Sequence, residues 1–270
     1  MKNMGTRLIN YQYNQKENIG KFFHLLFALV AREIKGQYRR SFLGPAWALL
    51  QPLFYMVIFT FIRGVLKISS EGIPYVLFTY SALVPWTFFS NAVTRCGPSV
   101  LQNAGIVKKM ALPRVIFPAA AVITSLFDLL MSGIILIGMM FWFHVPIGWF
   151  LLWLPVLVFF TALLALGVGI FIAAVGTYKR DIIFATPFLM QFWLLATPIM
   201  YPLSSVPVRW QKIYTANPMV GIIEGFRGVL IKGSAPDLSL LAVSIIGIGV
   251  IWIIAWPLFR VMSQYFADVL

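Results

Sequence analysis

Six long apolar stretches divide this sequence, and they limit its possible folds more than any other feature. Soluble domains carry about 25% charged residues, whereas this chain of 270 residues carries 11%. A helix of about 20 apolar residues crosses the hydrocarbon core of a bilayer. We therefore predict an all-α integral membrane protein with six transmembrane helices in a domain covering 45–270. The predicted spans are 45–62, 75–94, 115–143, 150–176, 182–200 and 238–259.

The distribution of Lys and Arg predicts the orientation of these spans. Cytoplasmic loops of membrane proteins carry an excess of these residues. Fifteen of the 21 lie before the first span, in the second and fourth loops, or after the last span. We therefore expect both termini in the cytoplasm. The same excess accounts for the net charge of +13, so nucleic acid is not an expected partner.

The segment before the first span has the pattern of an amphipathic helix. We assign 1–19 to a polar cytoplasmic tail and 20–44 to this interface helix, which ends at a Gly-Pro corner. Its apolar face holds Phe23, Phe27, Val30, Ile34 and Tyr38, and its polar face holds His24, Arg32, Lys35 and Arg39. Such a helix can anchor on membrane lipids or dock a cytoplasmic partner. The segment alone favours the anchor.

The second predicted loop, 103–114, mixes cations with apolar residues. Asn103 can cap a short helix, and Lys108 and Lys109 give that helix a basic face. Pro113 ends the loop before the next span. A solvated loop that only follows the positive-inside rule would have no need of the apolar residues. The interleaving therefore makes a docked partner plausible.

The outward segment 202–236, between spans five and six, holds four prolines and two helical pieces. The second piece, PMVGIIEGFRGVLI, is too apolar for a free loop and too short to span. Asn217 and Pro218 have the order of a helix cap followed by a first-turn proline. We predict a re-entrant pair of half-helices that forms an outer gate. An amphipathic cap on the outer leaflet is the equal alternative.

The sequence offers little for covalent or metal chemistry. No phosphate-binding loop of the form G-x-x-x-x-G-K-[ST] occurs, and the two His and one Cys show no metal-ligand spacing. We therefore expect no catalytic residue, no metal and no cofactor in this chain. Asp128 is an acid in mid-membrane. It is either a proton relay or, as we prefer, a helix-packing residue near Ser125 or Ser132.

Aromatic residues make up 16% of the chain and form stripes on two predicted spans. Each stripe also contains an amide side chain. The residues are Trp47, Gln51, Phe54 and Phe61 on span one, and Phe184, Phe188 and Gln191 on span five. Such stripes usually face lipid or pack between helices. The alternative is a passage for a sugar polymer, because sugar rings stack on aromatic faces and their hydroxyls bond to amides.

Five fragments in order carry a family resemblance. They are REIKGQYRRSFLGPAWALLQPL, SALVPWTFFSNAV, NAGIVKKMALPRVIFP, TYKRDI and NPMVGIIEGFRGVLI. With them, nearly all of the chain after Phe22 resembles the permease subunits of ABC exporters for lipid-linked polysaccharides (O-antigen, capsule and teichoic acid). The resemblance implies a six-span subunit of a bacterial inner membrane that pairs with a second copy of itself. It also implies a separate cytoplasmic ATPase subunit, which carries the ATP and Mg²⁺.

The resemblance further implies roles for individual residues. It places the ATPase contacts on Arg32, Lys35, Arg39, Lys108, Lys109 and Arg114, and the outer gate on Asn217, Pro218, Glu224 and Arg227. It puts spans one and five at the channel, which selects Trp47, Gln51, Phe54, Phe61, Phe188 and Gln191 as its lining. Candidates for contact with the pyrophosphate of a lipid-linked glycan are Arg39, Arg40 and Arg95.

Two other functions fit parts of the pattern. An ABC exporter of a small drug or lipid would share the helix layout. A proton-coupled secondary transporter would use Asp128 and would work without an ATPase. The expected function is ATP-driven export of a lipid-linked polysaccharide, whose loss on deletion would show as a missing surface glycan.

Overall fold

The computed structural model describes residues 20, 22–37, 39, 42–67, 72–109, 112–145 and 148–270. These residues form helices and turns, with no strand among them. In chain order the helices are α1 (22–37), α2 (Ala46–Leu66), α3 (Tyr75–Gln102), α4 (Ala104–Lys109), α5 (Ile116–Trp142), α6 (Leu154–Tyr178), α7 (Asp181–Leu195), α8 (Val208–Thr215), α9 (Pro218–Arg227), α10 (Leu238–Ser263) and α11 (Phe266–Val269). Two 3-10 turns, Trp149–Trp153 and Leu203–Ser205, and a π turn, Gly228–Lys232, complete the order. The predicted tail 1–19 lies outside the described residues.

Among the described residues, five helices are long and apolar enough to cross a membrane: α2, α3, α5, α6 with its preceding 3-10 turn, and α10. The fifth predicted span, 182–200, contains the shorter helix α7 of 15 residues. At 1.5 Å per residue α7 is about 22 Å long, whereas the hydrocarbon core is about 30 Å thick. After α7 the chain turns sharply, and Ile199 N donates a hydrogen bond to Thr197 O at 2.7 Å.

Helix α3 forms the centre of the bundle and packs mainly against α5 and α6. Its large side chains, such as Tyr80, Phe88 and Phe89, are almost completely buried. Small residues let α6 approach closely. A Cβ atom added at Gly169 of α6 would lie 2.6 Å from the Cys96 side chain of α3.

The second predicted span, 75–94, is too short. Helix α3 continues through Arg95, Cys96 and Pro98 to Gln102, so Arg95 lies within the helix and not in a loop. The pair Gly97–Pro98 does not end α3, because neighbouring helices pack around it. A Cβ atom added at Gly97 would lie next to Ile172 of α6 and Ile183 of α7.

Helix α1 packs against the C-terminal end of α3, the N-terminal end of α5 and the C-terminal half of α6. Leu26, Leu29 and Val30 are buried there, while Phe23 and Phe27 are 50% and 63% exposed. The predicted apolar face is therefore right only in part. The helix has two apolar sides, one facing protein and one left on the surface, and a single amphipathic face cannot describe both.

Candidate functional site

Helix α1 is hydrogen-bonded to the start of the second predicted loop, 103–114. The Arg32 guanidinium donates a hydrogen bond to Asn103 Oδ1, and Asn103 Nδ2 donates to Ser99 O at 2.8 Å. The predicted side-chain cap on α4 is therefore not formed. Instead the backbone carbonyl of Asn103 accepts from Ile106 N at 2.9 Å. The Asn103 side chain connects α1 with the end of α3.

Five of the six predicted ATPase contacts are exposed: Arg32, Lys35, Arg39, Lys108 and Lys109. Val107, next to the two lysines, is buried and anchors α4. Two of the six make hydrogen bonds within the chain: the exposed Arg32 bonds to Asn103, and the partly buried Arg114 donates from Nη1 to Leu112 O at 3.2 Å.

The C-terminal helix α11 lies beside α4 at the same end of the bundle, and sequence reasoning missed it. It packs against α4 and α6. Phe266 is fully buried, with its ring centroid 6.2 Å from that of Tyr178 and 5.7 Å from that of Phe259. The signal available in the sequence was an apolar residue after a polar turn, which is too common to single out.

A polar network joins α1, α3 and α5. Arg95 Nη2 donates to Asp128 Oδ2 at 2.6 Å, and Arg95 Nη1 donates to Ser125 Oγ at 3.0 Å. The Asp128 side chain is 6% exposed and the Arg95 side chain 27%. Nearby, Thr124 Oγ1 donates to a carboxylate oxygen of Glu33 at 3.2 Å. Asp128 is thus an ion-paired residue between two helices.

The carboxyl group of Glu33, on α1, is half-buried against this network. Burial raises its pKa, while the hydrogen bond from Thr124 and the charges of Arg32 and Arg95 act in the opposite direction. The thiol of Cys96 also lies within electrostatic range. When the pKa of a carboxyl group is higher in the folded than in the unfolded protein, the folded protein is more stable with that group protonated.

We expect α1 to dock more tightly as the pH falls through the raised pKa of Glu33, and to loosen as the pH rises through it. Hydrogen–deuterium exchange of peptides from 22–37, followed from mildly acidic to neutral pH, measures this directly. In Glu33→Gln the protection should be nearly independent of pH. An unchanged pH dependence in that variant would assign the effect to another group.

The aromatic residues of α2 and α7 form exposed faces on two adjoining helices. Gln191 Nε2 of α7 donates to Tyr55 Oη of α2 at 2.8 Å. Trp47, Phe54 and Phe61 are 52%, 58% and 75% exposed. Helix α7 exposes three aromatic side chains as well: Phe184, Phe188 and Phe192. Gln51 differs from the other predicted lining residues because it is partly buried and accepts a hydrogen bond from Asn91.

The predicted gate residues fasten α9 to the turn after α7. Asn217 Oδ1 accepts from Met219 N at 3.1 Å, so the predicted cap is confirmed, and it also accepts from Trp193 Nε1 at 2.9 Å. Asn217 Nδ2 donates to Thr197 Oγ1 at 2.9 Å. Pro218 occupies the first turn and is buried.

Arg227 makes a second connection at the other end of α9. Its guanidinium donates to the carbonyl oxygens of Pro198 and Ile199 at 2.8 and 2.7 Å and to Glu224 Oε1 at 2.7 Å. It also stands 3.8 Å from the ring centroid of Phe78 on α3. The Arg227 side chain is 1% exposed, so its positive charge is surrounded by groups of the chain itself.

Helix α9 runs antiparallel along the first half of α10 at very short range. A Cβ atom at Gly221 would collide with the Leu240 carbonyl group and Ser244 Oγ, and one at Gly247 would lie 2.8 Å from Pro218. The start of α9 therefore lies beside a point nine residues into α10. Only glycine allows the two backbones to approach this closely.

Among the described residues no three His, Cys, Asp or Glu side chains lie close enough to hold a metal ion. The polar groups described above bond to one another and to backbone atoms. The protein is thus a helical bundle in which hydrogen bonds join α1 and α9 to neighbouring elements, while α2 and α7 expose aromatic faces. Such a bundle is suited to binding a ligand and to helix movement.

Comparisons with known proteins agree with this arrangement. The chain is 27% identical to the O-antigen export system permease protein RfbA of Myxococcus xanthus over 249 residues, 90% of this chain and 94% of the relative. It is 26% identical to the protein of the same name from Klebsiella pneumoniae, over 94% of this chain and 98% of the relative. It is 26% identical to the polysialic acid transport protein KpsM of Escherichia coli, over 76% of this chain and 81% of the relative. The profile of the ABC-2 type transporter family matches residues 24–231, and the chain belongs to that family.

Proposed function

We propose that this chain is the permease subunit of an ABC exporter that moves a lipid-linked polysaccharide across a bacterial inner membrane. The observation that carries the proposal is the match, over nearly the full chain, to relatives named as export permeases for O-antigen. Two copies would form the transport path. A separate cytoplasmic ATPase subunit would supply the ATP and Mg²⁺, since no phosphate-binding loop occurs in the sequence.

The inner face supports docking of that ATPase. The exposed cations are Arg32 and Lys35 on α1, Arg39 just after it, and Lys108 and Lys109 on α4. The bond between Arg32 and Asn103 joins α1 to the residue that precedes α4. A push on α4 would therefore also move α1.

The exposed aromatic faces support a channel between two copies of the chain. Rings of Trp47, Phe54, Phe61 and Phe188 offer flat apolar surfaces to sugar rings, and Gln191 adds an amide. In this arrangement α7, with the turn that follows it, would act as the fifth of six crossings. The positive-inside rule would then place both termini in the cytoplasm.

The position of α9 supports a re-entrant outer gate. Its first residue lies beside Gly247, about 14 Å along α10 from Leu238. Because α10 is a candidate span, the junction of α8 and α9 would lie well inside the outer half of the membrane. Helix α8 would descend to it and α9 would return from it.

Entry of the lipid-linked substrate is proposed at the inner end of the bundle. Arg39 is exposed there, while Arg40 lies outside the described residues. Arg95 is already paired with Asp128, so a pyrophosphate would have to compete with that carboxylate. The same pair accounts for Asp128 without a proton relay, which weighs against a secondary transporter.

Reversing the charge at Lys108 and Lys109 should release the ATPase subunit. The permease, solubilised from native membranes in mild detergent, is expected to carry a nucleotide-binding subunit in roughly equal amount, identified by mass spectrometry. The double variant Lys108→Glu, Lys109→Glu should lose it, because both side chains are exposed on the proposed docking face.

The matched control is Lys179→Glu, Arg180→Glu, a double reversal at two other exposed or half-exposed cations of the predicted inner side. This control variant should retain more of the ATPase subunit than the Lys108, Lys109 variant does. Retention of the full amount by the Lys108, Lys109 variant would remove the docking site from α4. Reproducible absence of any ATPase from the intact wild-type permease would refute the proposed function.

A further inference from the structure

The end of α2 and the helix α8 carry an unusual concentration of cations. In the orientation proposed above, six Lys and Arg lie on the outer side, and four of them belong to these two helices or to the residue after α2: Arg63, Lys67, Arg209 and Lys212. The stretches 42–67 and 196–216 contain no Asp or Glu, and Glu71 lies outside the described residues. The positive-inside rule disfavours such a cluster outside the membrane, so it calls for an explanation of its own.

Part of this cluster lines a concave pocket with aromatic walls. The pocket has a volume of 760 Å³ and is lined by Lys67 together with Tyr201, Trp210 and Tyr214. This volume lies within the range of about 300–1,000 Å³ that is usual for small-molecule sites. The rings of Tyr201 and Tyr214 meet edge to face, with their hydroxyl oxygens 3.2 Å apart.

The pocket offers three kinds of contact at once. The rings supply apolar faces for a sugar ring, and the phenol hydroxyls can bond to sugar hydroxyls. Lys67 is exposed at the end of α2. The Arg209 guanidinium stands 5.4 Å from the ring centroid of Trp210, so a second cation lies beside the aromatic wall. Cations attract carboxylate or phosphate groups.

We propose that this pocket binds an anionic sugar residue, one that carries a carboxylate or a phosphate, as the polymer leaves the channel. The inference rests on the proposed function and adds the charge class of the substrate: an acidic polysaccharide. The pocket lies at the end of α2, the helix that carries the exposed rings of Phe54 and Phe61.

An anionic lipid head group is the competing occupant. The cations would attract the head group, but a head group such as that of phosphatidylglycerol has no ring that could stack on the three aromatic side chains of this concave site. The sugar is favoured because it uses both the rings and the charges.

The test is equilibrium binding of defined oligosaccharides to the full-length permease in nanodiscs of phosphatidylcholine, together with any ATPase that co-purifies. The probes are hexagalacturonate, which carries carboxylates, glucose 6-phosphate, which carries phosphate, and maltohexaose, which is neutral. Hexagalacturonate or the sugar phosphate should bind more tightly than maltohexaose. Lys67→Gln should weaken that binding about tenfold, as expected for the loss of one charge-assisted hydrogen bond, and high salt should weaken it too.

Three further variants distinguish the pocket from a general charge effect. Lys67→Arg should restore the binding that Lys67→Gln loses. Trp210→Leu should weaken it without a change of charge. Lys232→Gln, which removes a cation from the same side of the protein but not from this pocket, should have no effect.

Equal binding of charged and neutral oligosaccharides, or binding of none, would overturn the inference. So would complete loss of hexagalacturonate and sugar-phosphate binding when phosphatidylglycerol replaces part of the phosphatidylcholine, because the cations would then serve the lipid. The assay needs no ATP turnover. An ATPase that co-purifies with a permease that ignores anionic sugars would therefore leave the proposed function standing and remove only this inference.

Discussion

The variant Gly221→Ala should be strongly destabilised, by about 3 kcal/mol or more. The added methyl group would meet the Leu240 carbonyl group of α10. A backbone atom cannot rotate away as a flexible side chain can, so α9 and α10 would have to separate. The measurement is the fraction of detergent-solubilised protein that stays monodisperse by size-exclusion chromatography after heating.

Gly249→Ala is the matched control for this change. Gly249 also lies on α10, but a Cβ atom there would meet nothing within 4 Å. Alanine favours a helix over glycine, so the control should be as stable as the wild type or slightly more so. A Gly221→Ala protein with wild-type heat resistance would mean that α9 does not lie against α10 as described.

Removing one partner of the pair between Arg95 and Asp128 should destabilise the protein more than removing both. Arg95→Leu leaves a buried carboxylate without its cation, at a cost of about 3 kcal/mol. This is the lower end of the usual range, because the Arg95 side chain is 27% exposed. The double variant Arg95→Leu, Asp128→Leu should recover most of the loss. Thermal unfolding of all variants by the same heating assay gives the comparison.

Two controls sharpen this prediction. Arg260→Leu removes an exposed cation from α10 and should change little. Asp128→Asn keeps an oxygen that can accept a hydrogen bond from Arg95, so ATP-dependent export should survive it. If Asp128→Asn abolished transport while heat resistance was retained, a role for Asp128 in proton movement would replace the packing role given to it here.

The positions of the long helices could be predicted from the sequence, because apolar runs of sufficient length leave few alternatives. Their ends could not always be predicted. Helix α3 continues past the charged Arg95 because Asp128 and Ser125 on α5 receive its guanidinium. That partnership depends on how two distant segments pack, and no local pattern reveals it.

In the candidate site, too, some features could be predicted from the sequence and others could not. The cap at Asn217 follows from a local pattern, Asn followed by Pro, and the structure confirms it. The cap predicted at Asn103 also rests on a local pattern, an Asn before a short helix, but the Arg32 side chain of a distant helix donates to its side-chain oxygen. The pocket at Lys67 and Trp210 could not be predicted at all, since it joins residues far apart in the chain.

The buried Arg227 side chain has a consequence for how the outer end can open. It holds α9 to the carbonyl groups just after α7, and Asn217 holds the other end of α9 to Thr197 in the same turn. Because both ends of α9 are hydrogen-bonded to one short turn after α7, a displacement at the end of α7 would carry α9 with it. In the proposed export function, widening of the path and opening of the outer gate would then be a single movement.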